Sequence, residues 1–222
     1  MQKLLKKIKL HFTDPVKALF FDLRICFNFY SKLMLIYYYK INIPKSDFLI
    51  TPDYIDLYNL FKNILRRKPN CVLEIGAGYS TIVVLQALKI MKRKHGMNVI
   101  FYSLEQNQEY LNKMKSFFNK DDFLILNFVK TELNIINLKG SKVSICSNFP
   151  SEQINFLYED RADHSEYKIA GDALFIEKDM PKDYFICVDG MTETVNFYKK
   201  NLERKYKISK GIFAGTNFEP RL

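Results

Sequence analysis

A glycine-rich turn flanked by carboxylates is the part of the sequence best suited to hold a small molecule. Residues 71–75 form a short apolar run that predicts a buried parallel strand, and residues 80–92 predict a helix. Glycines between a strand and a helix let the backbone turn sharply and approach a ligand, and the helix N-terminus adds free N–H groups. The candidate ligand-binding residues of this turn are Glu74, Gly76, Gly78, Ser80 and Thr81.

Two features of the turn distinguish between nucleotide cofactors. A dinucleotide site favours a third glycine or an alanine at position 81, where this chain has threonine. Glu74 brings a carboxylate into the turn, which suits a ligand that carries a positive group and no phosphate. The amino-acid end of S-adenosylmethionine has that character, whereas a nicotinamide dinucleotide is disfavoured.

Glu105 adds a second carboxylate at the end of the next predicted strand, residues 98–104. A carboxylate at that place can accept hydrogen bonds from ribose hydroxyls. Together with the glycine turn, it predicts a nucleoside ligand. The alternative interpretation is that Gly76 and Gly78 only make a tight connection between a strand and a helix.

Helices alternate with strands from residue 54 onward. This alternation predicts an α/β fold with a Rossmann-like, doubly wound, mostly parallel sheet and right-handed crossovers. The predicted helices are residues 54–67, 80–92, 107–119 and 192–205. The predicted strands are residues 71–75, 98–104, 123–129, 184–188 and 206–213.

Two segments fall outside this alternation. Residues 1–45 predict a basic, apolar helical extension, which leaves 46–222 as the folded domain. Residues 131–181 predict an irregular insertion on the substrate side, before the strand that ends at Asp189. Short apolar pieces within the insertion predict small strands at residues 143–146, 154–158 and 173–176.

Three of these segments together resemble class I S-adenosylmethionine-dependent methyltransferases. They are VLEIGAGYST at residues 72–81, SLE at 103–105 and YFICVDG at 184–190. The Gly-x-Gly-x-Ser-Thr form and the Val-Asp-Gly ending are similar to the branch that contains small-molecule and sugar O-methyltransferases. The resemblance covers about residues 52–213 and implies O-methylation of a small or sugar-like acceptor.

The resemblance also implies a role for each site residue. Glu74, Gly76 and Gly78 would hold the methionine end of the cofactor. Ser80 and Thr81 would cap the helix and touch the carboxylate of that end. Glu105 would bind the ribose. Asp189, at the end of the fourth strand, would face the reacting centre, and Gly190 would lie beside it on the cofactor side.

The resemblance leaves two differences from the full pattern. Seven strands are expected of such a fold, and the chain is expected to end too soon after Asp189 to form them all. Lys130 or Thr131 occupies the region expected to meet the adenine. The shortened C-terminus motivates an alternative function, a catalytically silent binding module that docks to a membrane or protein partner.

Asp189 and His164 are the candidate catalytic residues. Transfer of a methyl group to a hydroxyl is helped by a general base or by a metal, and Asp189 is placed for either role, although no metal site is predicted. A helix N-cap or a cofactor contact is the alternative role for Asp189. His164 lies among carboxylates that would raise its pKa and orient its ring, or else in a solvated acidic loop.

The positive charge of the chain is concentrated at its N-terminus. The net charge is +10, and residues 1–40 hold six of these charges. A nucleic-acid binder would show its basic residues across the folded body, so a nucleic-acid partner is not predicted. The basic and aromatic N-terminus instead indicates a membrane surface or another anionic partner.

Residues 18–39 predict an apolar helix that does not span a bilayer, because each charge at the bilayer centre would cost roughly 2.5–3.5 kcal/mol. Its polar residues form one narrow stripe, namely Arg24, Asn28, Ser31 and Lys32. Two interpretations remain open. The helix packs on the folded body or on a second subunit, or it lies in a membrane interface with its basic residues facing anionic lipid.

Four widely spaced cysteines predict free thiols, since none of their spacings suits zinc or a redox pair. Free thiols and a core-forming composition are typical of a cytoplasmic protein. If the N-terminal helix lies on lipid, we expect the protein to be attached peripherally to the inner face of the membrane.

Overall fold

The computed structural model describes residues 15–49, 51–161, 169–210 and 215–221. Its helices are α1 (Pro15–Leu33), α2 (Tyr54–Arg67), α3 (Tyr79–His95), α4 (Gln108–Lys115), α5 (Asp172–Ile176) and α6 (Thr192–Asn201), with a π-helical turn at Met34–Tyr38 and 3₁₀ turns at Asp122–Leu124 and Glu177–Asp179. Its strands are β1 (Cys71–Ile75), β2 (Ile100–Glu105), β3 (Leu126–Lys130), β4 (Leu133–Leu138), β5 (Ser141–Cys146), β6 (Phe156–Glu159), β7 (Phe185–Val188), β8 (Tyr206–Lys210) and β9 (Thr216–Pro220).

Seven strands form one sheet in the order β3-β2-β1-β6-β7-β9-β8. The first five are parallel, and β9 runs antiparallel between β7 and β8. Every residue of β1, β6 and β7 is buried, as expected where helices cover both faces of a parallel sheet. The predicted Rossmann-like, mostly parallel α/β fold is confirmed.

The segment 131–181 differs in part from its prediction. β4 and β5 form a separate hairpin, but β6 lies in the centre of the main sheet, paired with β1 and β7. The apolar piece at 173–176 belongs to a short helix instead of a strand. The strand predicted at 154–158 corresponds to β6, but it was not recognised as part of the main sheet, because a hairpin precedes it in place of a crossover helix and the usual alternation of strands and helices is absent there.

The strand that ends at Asp189 is therefore the fifth parallel strand, not the fourth. The expectation that the chain stops before seven strands form is also wrong. The strand predicted at 206–213 corresponds to β8, which covers residues 206–210, and a further strand that was not predicted, β9, follows it. β9 has few apolar residues, and only Thr216 and Phe218 of it are buried, which explains why its pattern was not recognised. The observation that motivated a silent binding module is thereby removed.

The N-terminal helix α1 packs against α2 through its polar stripe. Arg24 and Asn28 both donate to the carboxylate of Asp53, which also caps α2 by accepting from the Ile55 N–H. Ser31 in the same stripe is buried. The stripe thus faces the folded body, and among the described helices none is long and apolar enough to cross a membrane.

Candidate functional site

The register of the parallel strands brings four strand ends together. Ile75 pairs with Leu104 on one side and with Glu159 on the other, and Glu159 pairs with Val188. The residues that follow each strand therefore emerge side by side at one edge of the sheet. Open α/β sheets bind their ligands at this edge.

A cavity of about 500 Å³ opens at this edge. Its volume falls in the range of roughly 300–1,000 Å³ that is typical of small-molecule sites. Residues after β1, β2, β3, β6 and β7 line it, and the segment before α2 closes one side. Its polar lining includes Asp53, Asp56, Ser80, Glu105, Asn107, Thr131, Asp160, Arg161 and Asp189.

Gly76 makes the first step of the turn after β1. Its φ is +95°, in the left-handed region that favours glycine. A Cβ at this position would lie 1.9 Å from the carbonyl oxygen of Asp160, the residue that follows β6. The turn is therefore in direct backbone contact with the end of the neighbouring strand, and no larger residue fits there.

Glu74 lies behind the turn and is fully buried. Thr81 Oγ1 and Ser103 Oγ both donate to its Oε2 at 2.6 Å. Thr81 Oγ1 also accepts from the Gly78 N–H at 3.0 Å, so the glutamate and the threonine hold the turn from within. Burial raises the pKa of Glu74 to about 7.

Glu105 ends β2 and faces the cavity from beside the turn. Its Oε1 accepts from the Asn107 N–H at 2.7 Å, and its Oε2 accepts from the Ala77 N–H at 3.4 Å. Each carboxylate oxygen has two lone pairs, so this side chain can accept further hydrogen bonds from a ligand diol. The two backbone contacts fix its direction in advance.

Four more carboxylates line the cavity, namely those of Asp53, Asp56, Asp160 and Asp189. Burial, followed by repulsion from Asp189, raises the pKa of Asp56 to about 8 and that of Asp160 to about 7. Burial also raises the pKa of Asp189, opposed by a hydrogen bond from Tyr158 Oη at 3.1 Å. Asp56 and Asp160 therefore hold protons that ordinary aspartates lose well below neutral pH.

The structure brings most of the predicted site residues together. Gly76, Gly78, Ser80, Glu105 and Asp189 all line the cavity, as does Thr131 at the end of β3. The other three are not among its lining residues: Glu74 and Thr81 lie behind the turn, and Gly190 follows Asp189 with a φ of +63°. His164 lies outside the described residues.

Asp56 and Asp160 were not recognised from the sequence. Asp160 follows the apolar run of β6 just as Asp189 follows that of β7. Assigning residues 154–158 to the main sheet would therefore have identified Asp160 as a candidate. Asp56 lies in the first turn of α2 and reaches the cavity only because α2 packs beside the strand ends. No local pattern marks it.

Arg161 anchors the segment after β6 in the body of the protein. It forms an ion pair with Asp172, whose side chain is fully buried and also accepts from the Cys146 N–H at 2.8 Å. Arg161 Nη1 donates to Ser144 Oγ at 2.9 Å, which ties this segment to the β4–β5 hairpin. Breaking such a buried pair leaves an uncompensated charge, so the anchor holds one wall of the cavity in place.

Within the described ranges, no three His, Cys, Asp or Glu side chains are grouped so that they could hold a metal ion.

The raised pKa values predict that the protein loses stability as pH rises from about 4 to 8. Asp56 titrates near 3.8 when unfolded and near 8 when folded, so the folded state binds more protons between these values. Its contribution is fully present below the lower value and is lost through the upper one. Thermal melting from pH 4 to 8 should show a falling midpoint, and the fall should be shallower in Asp56→Asn. Parallel curves for the two proteins would contradict the assignment.

Comparison with known proteins supports the fold and nothing finer. A scan against protein-family models finds no match, and a search of curated proteins finds none either. Among solved structures, the SAH-bound methyltransferase PaMTH1 from Podospora anserina matches with a TM-score of 0.53 and 11% identity, over 86% of this chain and 87% of that one. This chain has a Rossmann-like methyltransferase fold.

Two further solved structures match less well. An O-methyltransferase from Bacillus cereus in complex with SAH has a TM-score of 0.47 and 14% identity, over 86% of this chain and 90% of that one. The O-methyltransferase TomG from Streptomyces achromogenes, in complex with SAM, has a TM-score of 0.47 and 13% identity, over 84% and 93%.

Proposed function

We propose that this protein transfers a methyl group from S-adenosylmethionine to a hydroxyl oxygen of a small, sugar-like acceptor. The observation that carries the proposal is the position of Glu105. Its carboxylate lines the cavity beside the glycine turn and is held by two backbone N–H groups, so that both oxygens can accept from a ribose diol. Glu105 would also suit the ribose of a dinucleotide, but two other residues disfavour that ligand: Thr81 stands where a dinucleotide site favours glycine or alanine, and Glu74 places a carboxyl group directly behind the turn that would hold the pyrophosphate.

The residues present suit the whole cofactor. Gly76 and Gly78 leave room at the turn for the methionine end, and Ser80 lies where the first turn of α3 offers backbone N–H groups to a carboxylate. Glu74 and Thr81 keep this turn in shape without lining the cavity. Thr131, from the end of β3, lies where the adenine is expected.

The bound cofactor supplies an activated methyl group, so the protein must mainly orient the acceptor and exclude water. Asp189 is the candidate general base. Its raised pKa brings it closer to neutrality, and a base is most effective when its pKa lies near the working pH. The hydrogen bond from Tyr158 fixes the direction of this carboxylate.

The lining of the acceptor side supports a polyhydroxylated acceptor. Asp53, Asp56 and Asp160 line the cavity together with Asp189, and carboxyl groups are good partners for several hydroxyls at once. Phe48 and Tyr79 line the same cavity and offer aromatic surface. A ring with apolar faces and hydroxyl edges suits such a lining.

A thermal-melting experiment tests the cofactor assignment. S-Adenosylhomocysteine at 100 times its dissociation constant should stabilise the protein by about 2.7 kcal/mol, whereas NADH should not. Glu105→Ala should lose this stabilisation, and Glu109→Ala, which changes an exposed glutamate of α4, should keep it. Stabilisation by NADH alone, or an undiminished shift in Glu105→Ala, would overturn the proposal.

A further inference from the structure

The solvent side of α1 and of the π-helical turn after it is apolar. We call it the docking face, and it consists of Leu23, Ile25, Phe29, Leu33, Tyr37 and Tyr38. Phe29 is 62% exposed, and Tyr37 and Tyr38 are 71% and 70% exposed. Large apolar side chains at such exposure, all on α1 and the turn that continues it, mark an interaction site and not an ordinary surface.

The orientation of α1 is the reverse of that of a surface helix in a soluble domain, which turns its apolar stripe inward. Arg24 and Asn28 point inward to Asp53, and the ammonium group of Lys32 lies 5.3 Å from the ring centroid of Tyr54. The polar side chains are engaged by the folded body. The helix is therefore fixed in a position that leaves its apolar side outward.

The sequence that leads into α1 indicates what covers the docking face. Residues 1–14 contain four lysines, namely Lys3, Lys6, Lys7 and Lys9, against one acidic residue, Asp14. A second copy of this chain would carry the same excess of lysines and would offer them no complementary charge. An anionic lipid surface complements both the lysines and the apolar side chains.

The aromatic residues of the docking face agree with a lipid surface. Tyr37 and Tyr38 lie at the C-terminal end of the face, and tyrosine is enriched at the level of lipid headgroups because its ring is apolar and its hydroxyl is polar. Arg24 of α1 donates to Asp53, and Asp53 also lines the cavity, so α1 is separated from the cavity by a single side chain. We propose that the docking face binds the surface of an anionic membrane, with α1 lying flat on it.

Vesicle flotation of the full chain tests this proposal. The protein should float with vesicles of phosphatidylcholine and phosphatidylglycerol in equal parts, and not with phosphatidylcholine alone. Ile25→Ser/Phe29→Ser should weaken binding about tenfold or more, because it removes two apolar anchors. Lys6→Gln/Lys7→Gln should weaken binding and its salt dependence.

The matched control is Leu124→Ser, which changes a leucine that is 74% exposed outside α1. It should bind vesicles like the unchanged protein, and circular dichroism should show all variants folded, since every altered side chain is exposed or lies before α1. Failure of the unchanged protein to float at low salt would overturn the proposal. Equal losses in Leu124→Ser, or a dimer in sedimentation that Ile25→Ser/Phe29→Ser dissociates, would overturn it as well. None of these outcomes depends on methyltransferase activity.

Discussion

Replacing Gly76 with alanine should abolish binding of S-adenosylhomocysteine and lower the free energy of unfolding by about 3 kcal/mol or more. A methyl group at this position meets the carbonyl oxygen of Asp160 at 1.9 Å, on a backbone with a φ of +95°. Neither the turn nor the end of β6 can move without breaking strand pairing, because the Asp160 N–H donates to Ile75 and the Gly76 N–H to Leu104. Chemical denaturation and calorimetric titration measure the two effects.

Gly96→Ala is the matched control for this change. Gly96 also has a positive φ, of +63°, but an added Cβ there meets no atom within 4 Å. Gly96→Ala should lower the free energy of unfolding by about 1 kcal/mol, from backbone strain alone, and leave ligand binding intact. If Gly76→Ala melts like Gly96→Ala and still binds the nucleoside, the close contact between the turn and Asp160 is not what shapes the site.

Asp189→Asn should lower turnover about 10²- to 10⁴-fold while leaving the affinity for S-adenosylhomocysteine within a factor of about two. The amide keeps the shape of the side chain and its contact with Tyr158 but cannot accept a proton from an acceptor hydroxyl. The measurement is formation of S-adenosylhomocysteine with a hydroxyl acceptor selected from a panel of sugars and sugar derivatives.

The pH profile separates a base from a structural carboxylate. Turnover of the unchanged protein should rise with pH through the pKa of Asp189, and this limb should disappear in Asp189→Asn. Tyr158→Phe should move the limb to higher pH, since the hydrogen bond from Tyr158 lowers the pKa of Asp189. Asp179→Asn, at an exposed aspartate outside the cavity, should change nothing. Full turnover in Asp189→Asn would show that another group accepts the proton.

The side of the candidate site that the glycine turn forms was predictable because its signals are local. A buried strand, two glycines and a helix start within ten residues define the turn, and Glu105 follows from the end of the next strand. Parallel pairing then places the two side by side, as the register of β1 and β2 confirms. Glu74 is the exception, since its burial behind the turn depends on Ser103 of the neighbouring strand.

The opposite, aspartate-lined part of the candidate site, where we propose that the acceptor binds, was not predictable to the same extent because tertiary packing creates it. Asp160 reaches the cavity only because β6 inserts between β1 and β7, after a hairpin that hides the usual alternation. Asp56 reaches it because α2 lies against the strand ends. The side of α1 that faces the folded body could not be predicted for the same reason. Its polar stripe was evident in the sequence, but its partner Asp53 is the N-cap residue of a different helix, α2.

A crystal structure of the protein with S-adenosylhomocysteine tests the central claim most directly. The account predicts both ribose hydroxyls within about 3 Å of the Glu105 carboxylate, with the amino-acid end at the turn of Gly76 and the sulfur facing Asp189. A compound bound with its ribose away from Glu105, or a crevice filled by the protein's own side chains, would contradict it.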